Sequence, residues 1–193
     1  MVDNMQGLDA LFKIYEETMA QLKTNTDPAR HERAKKQPIY AYYKGIAKSG
    51  LIKFDVTSGT IKGKMYRVNV WVTDTKGFAK DLNDAYLHKR KVSLAKLMND
   101  FFKRDIKVSC TCPDYKYRWK YTAYKFNFGI TKELRPALIR NPNNKRCVCK
   151  HILAMFRVLA FNWSTIVKGM KSKGVLPDNK NMDDSKYARK NTP

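Results

Sequence analysis

The stretch IKVSCTCPDYKYRWKYTAYKFNFG, residues 106 to 129, changes its period within 24 residues. Ile106, Val108 and Cys110 alternate with polar residues, as a half-buried strand requires, and this alternation delivers a cysteine at the strand's end. Cys112 follows one residue later, and aromatic and basic side chains then interleave. As a strand, the segment would set Tyr115, Tyr117, Trp119 and Tyr121 on one face and Lys116, Arg118 and Lys120 on the other. As a helix, with Pro113 and Asp114 in favourable first-turn positions, it would stack Tyr117, Tyr121, Tyr124 and Phe128 at offsets of 0, 4, 7 and 11. The helical pattern runs longer and accommodates Ala123, so a helix is expected.

What the segment is for depends on a second cluster, Cys147-Val148-Cys149-Lys150-His151. Zinc prefers four tetrahedral thiolate or imidazole ligands, and a CxC pair at a strand end can point both sulfurs at one ion. Cys110, Cys112, Cys149 and His151 supply such a set, with 36 residues between Cys112 and Cys149. A set of Cys110, Cys112, Cys147 and Cys149 is the alternative; otherwise Cys147 packs nearby or supports a ligand. Free cysteines also pack well in cores. Two close pairs, one with an adjoining histidine, are hard to attribute to packing, and four cysteines in a reducing compartment do not form a disulfide framework.

The flanking sequence fits one domain around this site. LIKFDVTSG and KMYRVNVWVTD, within residues 51 to 74, read as two paired strands joined by a turn at Ser58, Gly59 and Gly63. In the second strand, Tyr66, Val68, Val70 and Val72 alternate with Met65, Arg67, Asn69 and Trp71. Residues 92 to 104 form a helix capped by Ser93, with Leu94, Leu97, Met98, Phe101 and Phe102 on one face. After the second cluster, Ile152, Met155, Phe156, Leu159, Trp163, Ile166, Val167 and Met170 fall at helical offsets, which predicts one helix of about five turns. Leu8, Leu11, Phe12, Tyr15, Met19 and Leu22 predict an amphipathic N-terminal helix, followed by a polar linker containing His31.

The expected class is α+β: a small antiparallel sheet with helices, a ββα-type zinc module and a long C-terminal helix. Residues 1–38 form the N-terminal helix and basic linker, 39–174 the α+β domain, and 175–193 a flexible polar tail.

CxC, a variable insert, then CxH leading into an apolar helix resembles the SWIM zinc finger. The resemblance covers residues 106 to about 160, with Cys110, Cys112, Cys149 and His151 at the ligand positions, a longer insert than usual and an extra cysteine, Cys147. It implies a small ββα zinc module that binds DNA or proteins and has no catalysis of its own. A strand pair, a helix and then a CPDYKYRWKY-like segment is similar, more loosely, to short zinc-finger proteins of large tailed bacteriophages. This implies a virion setting.

The charge points to a polyanionic partner. There are 39 Lys and Arg against 17 Asp and Glu, a net +22, and neutralising phosphates with such side chains releases condensed counterions. The candidate nucleic-acid contacts, DNA first, are Lys116, Arg118, Lys120 and Lys125 of the quoted stretch and Arg140, Lys145, Arg146 and Lys150 around the second cluster. Trp119 or Phe126 is a candidate for base stacking. The bland reading makes the rings core and the charges a solvated rim, or assigns the charge to acidic protein subunits of a larger assembly.

An enzyme is not expected. Pro113 and Asp114 lack the downstream carboxylate and lysine of a nuclease site, His88 reads as a surface residue, and no Gly-rich phosphate loop or small-molecule site occurs. A catalytic zinc keeps an open position, whereas this ligand set is complete. Neither a membrane span nor a secretory signal is apparent, so the expected location is the virion or the host cytoplasm.

Overall fold

The computed structural model describes residues 36–87, 94–104, 106–145 and 147–176. The expected N-terminal helix, most of the linker with His31, His88, the Ser93 cap, Arg146 and residues 177–193 lie outside them.

The fold is α+β, built on a four-stranded antiparallel sheet in the order β1-β2-β3-β4. β2 (Ile52–Thr57) and β3 (Met65–Val72) are the two strands expected from alternation, paired so that Phe54 faces Val68 and Val56 faces Tyr66. Tyr66, Val68, Val70 and Val72 are buried, so the period-two pattern chose the inner face correctly. β4 (Ile106–Cys110) joins the far side of β3 and sets Cys110 opposite Val68. β1 (Ala41–Ile46) forms the other edge; its register slips between Tyr43 and Gly45, where Gly45 adopts a φ of 133°.

Between β3 and β4 lie α1 (Thr75–Leu87) and α2 (Leu94–Phe102). The expected face of α2 is buried at Leu97, Met98, Phe101 and Phe102. Its Phe101 ring meets Phe78 of α1 and Trp163, with centroids 6.1 and 5.0 Å away.

The quoted stretch is helical, with one irregularity. Residues Tyr115–Trp119 form a π-helical turn, in which the Lys120 N–H donates to the Tyr115 carbonyl, and α3 (Lys120–Lys125) continues it. The extra residue rotates the buried stripe. Tyr115, Trp119, Thr122 and Ala123 face inward, whereas Tyr117 and Tyr124, expected in the stacked row, are exposed. Asn127, at φ 61°, ends the helix, and residues 128–130 return along the outer edge of β4 through Val108 N–H to Phe128 O and Ile130 N–H to Val108 O. Gly129 is required there, since a Cβ would lie 2.9 Å from the Ala123 carbonyl carbon and the Tyr124 nitrogen.

The expected long C-terminal helix is two helices, α4 (Lys150–Leu159) and α5 (Trp163–Ser172). The chain turns at Ala160–Asn162, where Asn162 donates from both its backbone N–H and its side-chain Nδ2 to the Val158 carbonyl. The apolar stripe survives because every residue in it packs on the same core: Ile152, Met155, Phe156, Leu159, Trp163, Ile166, Val167 and Met170 are all buried. Val175 and Leu176, assigned to the polar tail, are buried as well, so the domain extends past Gly174. Among the described residues, no helix is long and apolar enough to cross a membrane.

Candidate metal centre and its basic surround

Three elements converge on one point. β4 ends in Cys110, the chain turns through Cys112 into the helix that opens at Pro113, and Cys149 stands at the N-cap of α4 with His151 as that helix's second residue. Cys149 adopts extended dihedrals, φ −74° and ψ 161°, and its carbonyl accepts the N–H groups of Ile152 and Leu153. The helix itself therefore fixes where His151 points.

The ligand atoms of Cys110, Cys112, Cys149 and His151 all lie within 4.8 Å of one another, and all four residues are buried. Sulfurs about 2.3 Å from a tetrahedral ion stand about 3.8 Å apart, which fits inside that limit. Among the described residues, neither ring nitrogen of His151 has a hydrogen-bond partner. An imidazole buried that way is costly unless something else accepts its lone pair, and a cation does so. The donor set fits a metal ion.

The thiols of Cys110, Cys112 and Cys149 lie close enough to perturb one another. Cys112 is held well below the ordinary thiol range, first by hydrogen bonding with Cys110 and then with Cys149. Its sulfur also accepts the Tyr115 N–H at 3.3 Å. Cys110 is pushed up, first by the same interaction with Cys112, while burial pushes Cys149 up. Thiols crowded to this degree prefer to share a charge, and a metal relieves that frustration by taking all of them as thiolates. The Tyr115 hydroxyl donates to the Val108 carbonyl at 3.0 Å and locks the first turn of the helix against β4. Cys147 is buried but stands outside the cluster, its thiol donating to the Val148 carbonyl at 3.3 Å.

The candidate nucleic-acid residues divide into groups. Lys116, Lys125, Arg140 and Lys145 are exposed. Arg118 pairs with Asp114 at 3.3 Å, and Lys120 pairs with Glu133 at 3.5 Å, so both are partly engaged within the molecule. The Lys150 ammonium donates to the Gln37 side-chain oxygen at 2.6 Å. Of the two rings considered for stacking, Trp119 is buried with its indole N–H donating to Asp114, and is thereby removed as a candidate; Phe126 is half-buried.

Further residues complete the surface. Tyr117 is exposed between two shallow cavities of about 190 Å³ each. One is lined by Arg118 and Arg140 with Asp114, the other by Lys116, Arg135 and Glu133. Asn141, in the loop before the second cysteine pair, is buried and holds that loop: its Oδ1 accepts the Lys145 N–H, and its Nδ2 donates to the Lys145 and Arg118 carbonyls. The Arg135 guanidinium beside Glu133 holds that carboxyl down to about 2. An Asn in a polar loop carries no signal of such anchoring, and the Glu133–Arg135 pair spans two residues with no helical spacing to reveal it.

No protein-family model matches this chain, and neither a curated protein nor a solved structure matches it. The charge is nevertheless well localised. Residues 36 to 176 hold 30 Lys and Arg against 8 Asp and Glu, so the entire net charge of +22 lies within that span.

Proposed function

We propose that the chain is a non-enzymatic, zinc-stabilised basic protein that contacts nucleic acid, DNA first, within a virion or other nucleoprotein assembly. The observation that carries this reading is the buried Cys110, Cys112, Cys149 and His151 cluster, with its ligand atoms within 4.8 Å, beside a helix and loop that expose Lys116, Lys125, Arg140 and Lys145. Three thiolates and one imidazole suit zinc, and four protein ligands leave no position for a reacting water, so the ion's role is structural.

The cluster joins the end of β4 to the start of α4, and the helix bearing Lys116 and Lys125 grows directly from Cys112. Holding these together presents Lys116 and Arg140 at the cavities beside Tyr117, with Lys125 further along the same helix and Lys145 in the loop that Asn141 ties to Arg118. Cation-π contacts of Lys116 with Tyr117, at 5.1 Å, and of Lys125 with Phe126, at 5.8 Å, hold these ammonium groups over rings. The ligand order also supports a SWIM-like module, and the bacteriophage resemblance supports a setting in the virion or the host cytoplasm.

One observation favours a second reading, an adaptor docking on acidic protein subunits. Leu134, Leu138 and Ile139 are 64%, 72% and 92% exposed in the loop carrying Arg135 and Arg140, and aliphatics displayed this way mark contact surfaces.

The deciding experiment is anisotropy of the zinc-loaded protein on random-sequence duplex DNA at several salt concentrations. Log K falling steeply with log salt is expected, with each of Lys116, Lys125, Arg140 and Lys145 replaced by alanine lowering the slope by about one. No binding at low salt overturns the nucleic-acid reading and leaves the adaptor.

A further inference from the structure

The sheet has two unlike faces. α4 packs on all four strands and α5 on β1, covering the face of Phe54, Val68 and Val108. The opposite face carries Tyr40, Tyr42 and Lys44 along the edge, then Lys53 and Asp55 on β2, Arg67, Asn69 and Trp71 on β3, and Lys107 and Ser109 on β4. In register, Tyr42, Asp55 and Arg67 form one row, Lys53, Asn69 and Ser109 the next, and Trp71 and Lys107 a third.

Tyr40 and Tyr42 are 59% and 49% exposed, and the side chains of Lys44 and Arg67 are 57% and 60% exposed. Asp55 is the one carboxylate among those residues, and it lies between Lys44 at 4.0 Å and Arg67 at 3.5 Å, so the face stays cationic. The backbone beneath the rings is firmly held: the Tyr40 N–H donates to Thr57 Oγ1, and the Tyr40 carbonyl accepts the Thr57 N–H. The Trp71 indole N–H donates to the Ser49 carbonyl at 3.0 Å and is thereby oriented.

We propose that this face is a platform for single-stranded nucleic acid, with Tyr40 and Tyr42 taking bases and Lys44, Lys53 and Arg67 taking phosphates. It rests on the nucleic-acid reading above but uses different elements from the helix and loop invoked there. Charge complementarity selects a polyanion, and the exposed rings select one whose bases are available for stacking. Ring spacing separates single strand from duplex. Residues two apart on a strand lie about 7 Å apart, roughly twice the 3.4 Å rise of a stacked strand, so neighbouring bases meet both rings only when their own stack is opened.

The test uses the zinc-loaded full chain with two labelled probes, an oligothymidylate and a random-sequence duplex. Replacing Tyr40→Ala and Tyr42→Ala together is expected to weaken oligothymidylate binding by about tenfold or more while leaving duplex binding unchanged. The pair Tyr40→Phe and Tyr42→Phe keeps the rings and is expected to bind as the parent does, which separates stacking from a loss of fold. Oligothymidylate binding that survives the alanine pair overturns the inference, as does a parent protein that binds only duplex. A parent that binds neither probe overturns both this inference and the nucleic-acid reading.

Discussion

The ring of His151 lies against the ring of Tyr66, centroids 4.7 Å apart and planes inclined at 52°. Tyr66 belongs to β3 and His151 to the first turn of α4, while Cys110 pairs with Val68 two residues along the same strand. The metal-ligand cluster is therefore built into the junction of the sheet and its main helix, continuous with the core. Its loss should be felt across the domain.

Cys110→Ser and Cys147→Ser provide the sharpest contrast, since both thiols are buried and only one belongs to the cluster. Structural zinc sites contribute roughly 10 to 16 kcal/mol of apparent binding energy in small fingers, so Cys110→Ser should release the metal and lower stability by roughly 3 kcal/mol or more. Cys147→Ser keeps a donor to the Val148 carbonyl and should cost about 1 kcal/mol with metal retained. Thermal unfolding with and without chelator measures both. Equal midpoints for the two variants, or a parent melt indifferent to chelator, contradict the assignment.

Asn141→Ala removes a buried amide that ties residue 145 to the carbonyl of Arg118. The expected loss is about 1 to 3 kcal/mol, because the freed carbonyls and N–H are left poorly satisfied. Hydrogen exchange should quicken at the Lys145 amide while the β2–β3 ladder stays protected. Unchanged protection at Lys145 would show that the loop is held by something else.

Glu133 should titrate abnormally. Its folded-state pKa is depressed to about 2, first by the Arg135 side chain, so the stabilisation is complete above the ordinary carboxylate value of about 4.3. It is lost progressively as the pH falls from that value through about 2. A carboxyl-carbon NMR titration reads this directly, and Arg135→Ala should return Glu133 toward the ordinary range. A normal titration in the unsubstituted protein contradicts the pairing.

Much of the fold was legible because alternation and helical offsets report burial directly. Tyr66 to Val72 and the stripe from Ile152 to Met170 each land on the core. Three features were hidden for physical reasons. The break between Leu159 and Trp163 was invisible because the apolar stripe runs through it in phase, and nothing in Ala160-Phe161-Asn162 forbids helix. The π turn at Tyr115–Trp119 has no periodic signature, so Tyr115 and Trp119 are buried where Tyr117 and Tyr124 were expected to be. β1 escaped because its outward residues are Tyr42 and Lys44, so the edge strand lacks the apolar alternation that marks β2 and β3. The ligand set needed no fold: two close cysteine pairs and an adjoining histidine named four residues whose ligand atoms now lie together, whereas choosing between His151 and Cys147 required the geometry.

X-ray absorption at the zinc edge on the purified protein is the most direct measurement of the central claim. The account predicts one zinc per chain with three sulfur ligands at about 2.3 Å and one nitrogen at about 2.0 Å. Four sulfur ligands would put Cys147 in place of His151, and protein that takes up no zinc would remove the metal on which the proposed role depends.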